Sequence, residues 1–345
     1  MKRELPVAGR QRAFSGIQPS GELHIGNYLG AVRNWVKMQD DYDLFICVVD
    51  LHAIIQPYDP SEMPELVFDM ALTLMAAGID PERATLFVQS DIPQHSELSW
   101  IFTTVTPIGD LERMTQYKEK SARLASVPAG LLAYPILQAA DILLYLATVV
   151  PVGADQSQHV ELTREIVRKW NARYGDYFPE PQALIGQAKR VLGLDGQAKM
   201  SKSLGNTIGL LESPEEIWEK LRPAYTDPAR KTRKDPGNPF ICNIFSLHQE
   251  FSSDEDIAWA QEGCQTAGIG CIDCKRRLGD NMIEELRPIR GRADELKANP
   301  ERVQEALRQG ADRCLGIAEQ TMAEVKRRMG LDHVRSPSEA KVDAD

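Results

Sequence analysis

Along the chain, short runs of apolar residues alternate with longer segments whose apolar positions recur every three or four residues. The first run, AFSGI from Ala13, predicts a strand, and the amphipathic YLGAVRNWVKMQ from Tyr28 predicts a helix. LFICVVD, from Leu44 to Asp50, is continuous and rich in β-branched and aromatic residues, which suits a strand covered on both faces. A helical MPELVFDMALTLMAAGI from Met63 leads to another short strand, TLFVQS, from Thr85 to Ser90. Strand and helix in alternation predict an α/β fold with a doubly wound parallel sheet, whose ligands bind beyond the carboxyl ends of the strands. Residues 96–175 read as mostly helical, with AGLLAYPILQAADILLYLA the most apolar stretch, and 213–330 read as charged helices. The expected organisation is a flexible 1–12, an α/β domain over 13–205 with a helical insertion, an α-helical C-terminal domain over 206–332 and a flexible tail, 333–345.

Composition adds exclusions. The 345 residues are 43% hydrophobic and 26% charged, ordinary for a globular protein. No apolar run approaches the roughly 20 residues that span a bilayer, and the opening MKRELPVAGRQR lacks the apolar core of a signal peptide. A cytoplasmic protein without a membrane partner is expected. The net charge of -10 speaks against a nonspecific coat on nucleic acid, DNA included; an RNA partner would be met by local basic patches.

Three stretches carry candidate chemistry. PSGELHIGNYLG, residues 19–30, places Gly21, Gly26 and Gly30 where a helix begins, although a helix interior disfavours glycine by about 1 kcal/mol relative to alanine. A strand-to-helix turn explains them: free N–H groups and the positive dipole end favour an anion, and glycine lets a phosphate come close. His24 and Asn27 would add side-chain donors, although the stretch alone equally describes a glycine-rich turn with a surface histidine. The second stretch, KMSKS at 199–203, puts two lysines on a loop, which suits a polyphosphate whose charge grows as pyrophosphate leaves; alone it reads as a solvated basic loop. In the third, AYPILQAADILLY, Pro135 suits a helix's first turn, and Tyr134, Gln138, Asp141 and Tyr145 follow at spacings of 4, 3 and 4 on one face of an apolar helix. A carboxylate there needs a donor, which could be a neighbouring arginine, a helix N-terminus or a ligand N–H.

The His-x-Gly-Asn helix start and KMSKS together resemble the two signature motifs of class I aminoacyl-tRNA synthetases. FSGIQPSGELHIGNYLGAVRNW at 14–35, GDLERMTQYKEKSA at 109–122 and LLAYPILQAADILLYLATVVPVGADQSQHVELTREI at 131–166 extend the resemblance from Phe14 to about Met329, and it is closest to the bacterial tryptophanyl-tRNA synthetases. That family implies a homodimer that joins L-tryptophan to ATP, accompanied by Mg2+, and then charges the terminal ribose of tRNA(Trp). It implies a catalytic role for the α/β domain and an anticodon-binding role for the helical one. By matching position, Gln18, Pro19, Ser20, Gly26 and Asn27 fall on the ATP-contacting segment and His24 on the signature histidine. Lys199, Met200, Ser201, Lys202 and Ser203 fall on the mobile lysine loop, and Lys120 on a lysine reaching the phosphates from the other side. Gly153, Ala154 and Asp155 match the ribose segment, and Val191 an adenine contact. The resemblance makes Asp141 the acceptor for the indole N–H, Tyr134 and Gln156 the holders of the ammonium group, and Phe14, Val152 and Gln138 parts of the indole wall. Two positions depart from the family: Gln138 stands where many members have methionine, and Ala154 stands where VGEDQ has an acid. His52 and His159 match family positions and are open as ligands or as structural hydrogen-bonders.

Cys242, Cys264, Cys271 and Cys274, with 21, 6 and 2 residues between them, suggest a metal or cluster site, with unliganded cysteines as the alternative. Their spacing is similar to that of a branch of tryptophanyl-tRNA synthetases with a four-iron four-sulfur cluster, so the resemblance implies that cluster before zinc. Lys275, Arg276 and Arg277 follow at once and could turn the site towards an anticodon, while Cys47 and Cys314 read as inert core residues. The competing functions are a tyrosyl-tRNA synthetase, an adenylyltransferase with the same helix start, and a duplicate synthetase with a regulatory role.

Overall fold

The computed structural model describes residues 9–186, 192–201 and 204–332. Five parallel strands form one sheet: β1 (Arg12–Ile17), β2 (Asp43–Val48), β3 (Ala84–Val88), β4 (Val149–Val152) and β5 (Gln182–Ile185), in the order β3-β2-β1-β4-β5. The doubly wound sheet is therefore as expected, but β2 stops at Val48 and Asp50 opens a helical turn, Asp50–Ala53. β4 and β5 fall inside and just after the stretch that reads as helical. Each is four residues long; β4 contains Pro151 and β5 is largely exposed, so neither has the apolar run that marks β2.

The longer helices are α1 (Met63–Ala77), α2 (Gln94–Thr103), α3 (Ala129–Leu143), α4 (Ser157–Tyr174), α5 (Pro214–Leu221), α6 (Asn243–Phe251), α7 (Asp254–Gln265), α8 (Cys271–Ala298) and α9 (Pro300–Met329). Strand periodicity sorts the core into two layers. Leu44, Ile46 and Leu86 face α1 and, beyond it, Met282 and Leu286 of α8. Phe45, Cys47 and Phe87 face α3 and, on α9, Cys314, Ala318 and Met322. The two C-terminal helices thus share the sheet's own core. Arg313 of α9 donates to Asp43 at 2.6 Å and to Thr85, tying the helix to the starts of β2 and β3.

α3 starts at Ala129, so Pro135 lies well inside it rather than in its first turn. Proline there withholds the N–H that the Leu131 carbonyl would accept, a cost of about 3 kcal/mol that packing must offset. α3 also ends at Leu143, which puts Tyr145 in the turn beyond the helix, fully buried.

Candidate active site

The strand order reverses between β1 and β4, and a cavity of about 1130 Å³ opens beyond their carboxyl ends, where doubly wound sheets bind ligands. Ile17 and Gln18 at the end of β1, Val49 and His52 after β2, and Val152 and Gly153 at the end of β4 line it. The helical residues Tyr134, Gln138, Asp141 and Ile142 of α3 close one wall, while Lys120, Arg123 and Lys199 bring positive charge.

Asp141 is the most constrained group in the cavity. It is 1% exposed and accepts three hydrogen bonds: from His52 Nε2 to Oδ2 at 2.8 Å, and from His95 Nδ1 and Gln89 Nε2 to Oδ1, each at 2.7 Å. Burial by itself would raise the carboxyl's pKa, but the hydrogen bonds from His52 and His95 outweigh it and hold the group well below the usual carboxylate range. Asp141 is thus an ionised acceptor in an otherwise apolar wall. Its neighbours are two histidines and a glutamine rather than an arginine or a helix N-terminus. Gln89 and His95 belong to no motif in the sequence; the available signal was position, since both follow the carboxyl end of β3.

Tyr134 is held from two sides. Its hydroxyl donates to Gln116 Oε1 at 3.2 Å and accepts from His159 Nε2 at 2.8 Å, and Lys120 Nζ lies 5.7 Å from its ring centre. That arrangement leaves His159 Nδ1, which has no partner, as a bare lone pair. Burial and then the charge of Lys120 lower the His159 pKa from 6.5 to about 4. The unfolded chain therefore binds the extra proton first as pH falls, and stability drops between pH 6.5 and about 4. The shift corresponds to about 2 kcal/mol lost between pH 7 and pH 4.5. Denaturant titrations should show the loss in the parent and a loss smaller by that amount in His159→Gln, which keeps the donor to Tyr134 but does not titrate. Parallel pH profiles for the two proteins would contradict it. His52 and His159 both serve as hydrogen-bonders to other side chains, and His52 also lines the cavity.

The glycine-rich turn does something more local than the sequence suggests. His24 caps the helix: Nδ1 accepts from Asn27 N at 3.3 Å, and Asn27 Oδ1 accepts from His24 N at 3.3 Å. Asn27 lines the cavity, whereas His24 is buried at 7% exposed and does not. A π-helical turn over Tyr28–Val32 follows, an irregularity that concentrates at functional sites. A Cβ on Gly26 would meet His24 Nδ1 at 2.9 Å and Met200 Cβ at 3.3 Å, so this glycine admits the lysine loop against the turn. Backbone bonds complete that junction, from Ile25 N to Ile208 O at 2.9 Å and from Leu210 N to Leu23 O at 2.8 Å. Asn206, another residue the sequence does not single out, accepts from Ser201 N at 2.8 Å and donates to Asp195 at 2.8 Å, pinning the loop from below.

Of the expected site residues, Phe14, Gln18, Asn27, Lys120, Tyr134, Gln138, Asp141, Val152, Gly153, Gln156 and Lys199 line the one cavity. Pro19, Ser20, Gly26, Asp155, Met200 and Ser201 do not line it; Met200 is buried in the core and Asp155 accepts from Gln156 at 3.1 Å. Ala154 opens the short turn Ala154–Gln156. Val191, Lys202 and Ser203 lie outside the described residues.

The four cysteines come from three places: Cys242 just before α6, Cys264 near the end of α7, and Cys271 and Cys274 in the first turn of α8. All are free thiols. Burial and then the neighbouring Cys242, Cys264 and Cys271 push the Cys274 thiol up to about 12. Among the described residues, no three such side chains converge as ligands of a single metal ion. The basic run beside them divides: Lys275 turns inward, while Arg276 and Arg277 are exposed and lie against neighbouring side chains. Lys275 is buried against the carbonyls of Arg222 and Ala224, Arg276 lies 3.4 Å from the Trp218 ring centre, and Arg277 pairs with Asp256 at 3.3 Å. Cys314 and Cys47 are fully buried, and burial pushes both thiols up, as suits inert core residues.

Comparison with known proteins identifies the scaffold. The family model described as tRNA synthetases class I (W and Y) matches residues 8–287. The tryptophan–tRNA ligase of Deinococcus radiodurans is 55% identical over 325 residues, covering 93% of this chain and 98% of that protein. The chain belongs to the class I tryptophanyl-tRNA synthetases. A second member of that family, from Thermotoga maritima, is 44% identical over 93% of this chain and 99% of its own length. Among solved structures, the Campylobacter jejuni tryptophanyl-tRNA synthetase complexed with ADP and tryptophan superposes with a TM-score of 0.85 at 35% identity, covering 92% of this chain and 99% of that one. Among the described residues, no helix is long and apolar enough to cross a membrane.

Proposed function

We propose that the cavity activates L-tryptophan with ATP, releasing pyrophosphate, and that the chain then transfers the tryptophanyl group to the 3′-terminal ribose of tRNA(Trp). The observation that carries this is Asp141: a buried, ionised acceptor in an apolar wall suits an indole N–H, a donor with no acceptor capacity of its own. Phe14 and Val152 wall the ring, and Gln138 borders it where the family has methionine. Tyr134 and Gln156 hold the ammonium group, which turns the substrate carboxylate towards the α-phosphorus. Holding the two reactants in line removes much of the entropic barrier.

Gln18, Pro19, Ser20, Gly26, Asn27, Gly153, Asp155 and Val191 form the ATP cradle, with His24 capping the turn that presents Asn27. Lys120 and Lys199 hold the phosphates, joined by Met200, Ser201, Lys202 and Ser203 as the loop closes. Their charge stabilises the leaving pyrophosphate as negative charge accumulates on it. Mg2+ arriving with ATP neutralises part of that charge. The chain acts as a cytoplasmic homodimer, with 13–205 as the catalytic part and the helical 206–332 meeting the tRNA.

Pyrophosphate exchange with tryptophan and tyrosine side by side tests the specificity. Tyrosine should be slower by about 10²-fold or more; equal or greater activity with tyrosine overturns the assignment. Exchange without charging of tRNA would point to the duplicate synthetase.

For Cys242, Cys264, Cys271 and Cys274 we propose a four-iron four-sulfur cluster with a structural role. The support is the spacing of 21, 6 and 2 residues, together with the influence of Cys242, Cys264 and Cys271 on the Cys274 thiol. A cluster takes one thiolate at each of its irons. Anaerobically purified protein should be brown; colourless protein with stoichiometric zinc would refute the cluster.

A further inference from the structure

We propose that His95 is a positioning residue for tryptophan selection, holding the Asp141 carboxylate so that one lone pair remains for the indole N–H. The inference rests on the reading of Asp141 as the indole acceptor. A carboxylate offers about four acceptor sites. Gln89 and His95 occupy Oδ1 from the protein side, and neither lines the cavity. Only His52, which does line it, bonds Oδ2. The carboxylate is therefore clamped at its rear oxygen, and the open acceptor site is on the oxygen nearest the cavity wall.

His95 is itself oriented. It is 0% exposed, and its Nε2 lies 2.8 Å from the Tyr145 hydroxyl. With Nδ1–H given to Asp141, Nε2 accepts the Tyr145 O–H. Ring stacking fixes both members: His95 lies 6.0 Å from Phe87, and Tyr145 lies 5.0 Å from Phe45 and 5.9 Å from Phe14, which lines the indole wall. A buried chain, Tyr145 to His95 to Asp141, therefore runs from the core to the tryptophan site. Both ring nitrogens of His95 are thereby satisfied, which fixes the tautomer that gives its Nδ1–H to Asp141.

The test compares tryptophan with its benzothienyl analogue, in which sulfur replaces the indole N–H, in pyrophosphate exchange. Wild type should prefer tryptophan. His95→Phe, which keeps the ring volume without a donor, should raise the KM for tryptophan by about tenfold. It should leave the KM for ATP unchanged and the analogue within about twofold. His95→Asn, whose amide nitrogen takes the place of Nδ1, should recover most of the loss. Tyr145→Phe, which removes only the hydroxyl, should weaken the preference in the same direction and serves if His95→Phe does not fold. Equal losses for tryptophan and the analogue, or an unchanged preference in the variants, overturn the positioning role. Absence of any preference in the wild type would overturn the Asp141 reading instead.

Discussion

Asp141→Asn is expected to lower kcat/KM for tryptophan by roughly 10²-fold while the KM for ATP stays near its original value. The amide is isosteric, so the indole pocket keeps its size, but one acceptor oxygen becomes a donor. If that donor turns to the cavity it faces the indole N–H; if it turns inward it faces Gln89 Nε2 and His95 Nδ1. Either way two donors meet in a dry site. A hydrogen bond to a charged partner is worth about 1.5–3 kcal/mol, and leaving a buried donor unsatisfied costs a similar amount. Asp141→Ala removes the acceptor for three donors at once and should also destabilise the fold, by about 3–5 kcal/mol. Steady-state pyrophosphate exchange and denaturant titration separate the two effects. Retention of kcat/KM within threefold in Asp141→Asn would show that the indole nitrogen is read elsewhere.

Gly310→Ala should destabilise the protein by about 3 kcal/mol, although alanine is the better helix former by about 1 kcal/mol. A Cβ at this position in α9 would sit 1.9 Å from the Leu86 carbonyl oxygen and 2.7 Å from its carbon. Leu86 is backbone of β3, paired in register with Ile46 of β2, so it has nowhere to move. The helix must lift instead, and with it Arg313, which reaches Asp43. Gly316, in the same helix, has nothing within 4 Å of its Cβ direction, so Gly316→Ala should be neutral or gain up to about 1 kcal/mol. Denaturant midpoints of the pair test whether close packing or helix propensity governs α9; equal effects would exclude close packing.

Motif and periodicity reached unequal depths. β2 was legible because every residue from Asp43 to Val48 is buried, which writes a continuous apolar run into the sequence. β4 and β5 were not, because four residues carry too little pattern and pairing, not composition, makes them strands. The face of α3 was legible as far as Asp141, since helical spacing is a local property. Tyr145 continued that spacing on paper, yet the chain leaves the helix first and the ring turns to the core. The basic run after Cys274 shows how little a charge run tells by itself. An arginine reads as a ligand donor when its neighbours are unknown, and here Trp218, Trp259 and Asp256 lie against Arg276 and Arg277.

Sequence by itself determined the α/β class, the two phosphate-handling motifs and the carboxylate in an apolar helix, because each is set by spacing within a few residues or by residue types that chemistry restricts. Tertiary structure alone decided what holds that carboxylate. Gln89, His95, His52 and Asp141 are separated by 46 or more residues along the chain in every bond they make to one another. They meet because β3 and α3 bring their ends to the same edge of the sheet, and no local pattern encodes a contact made at that distance.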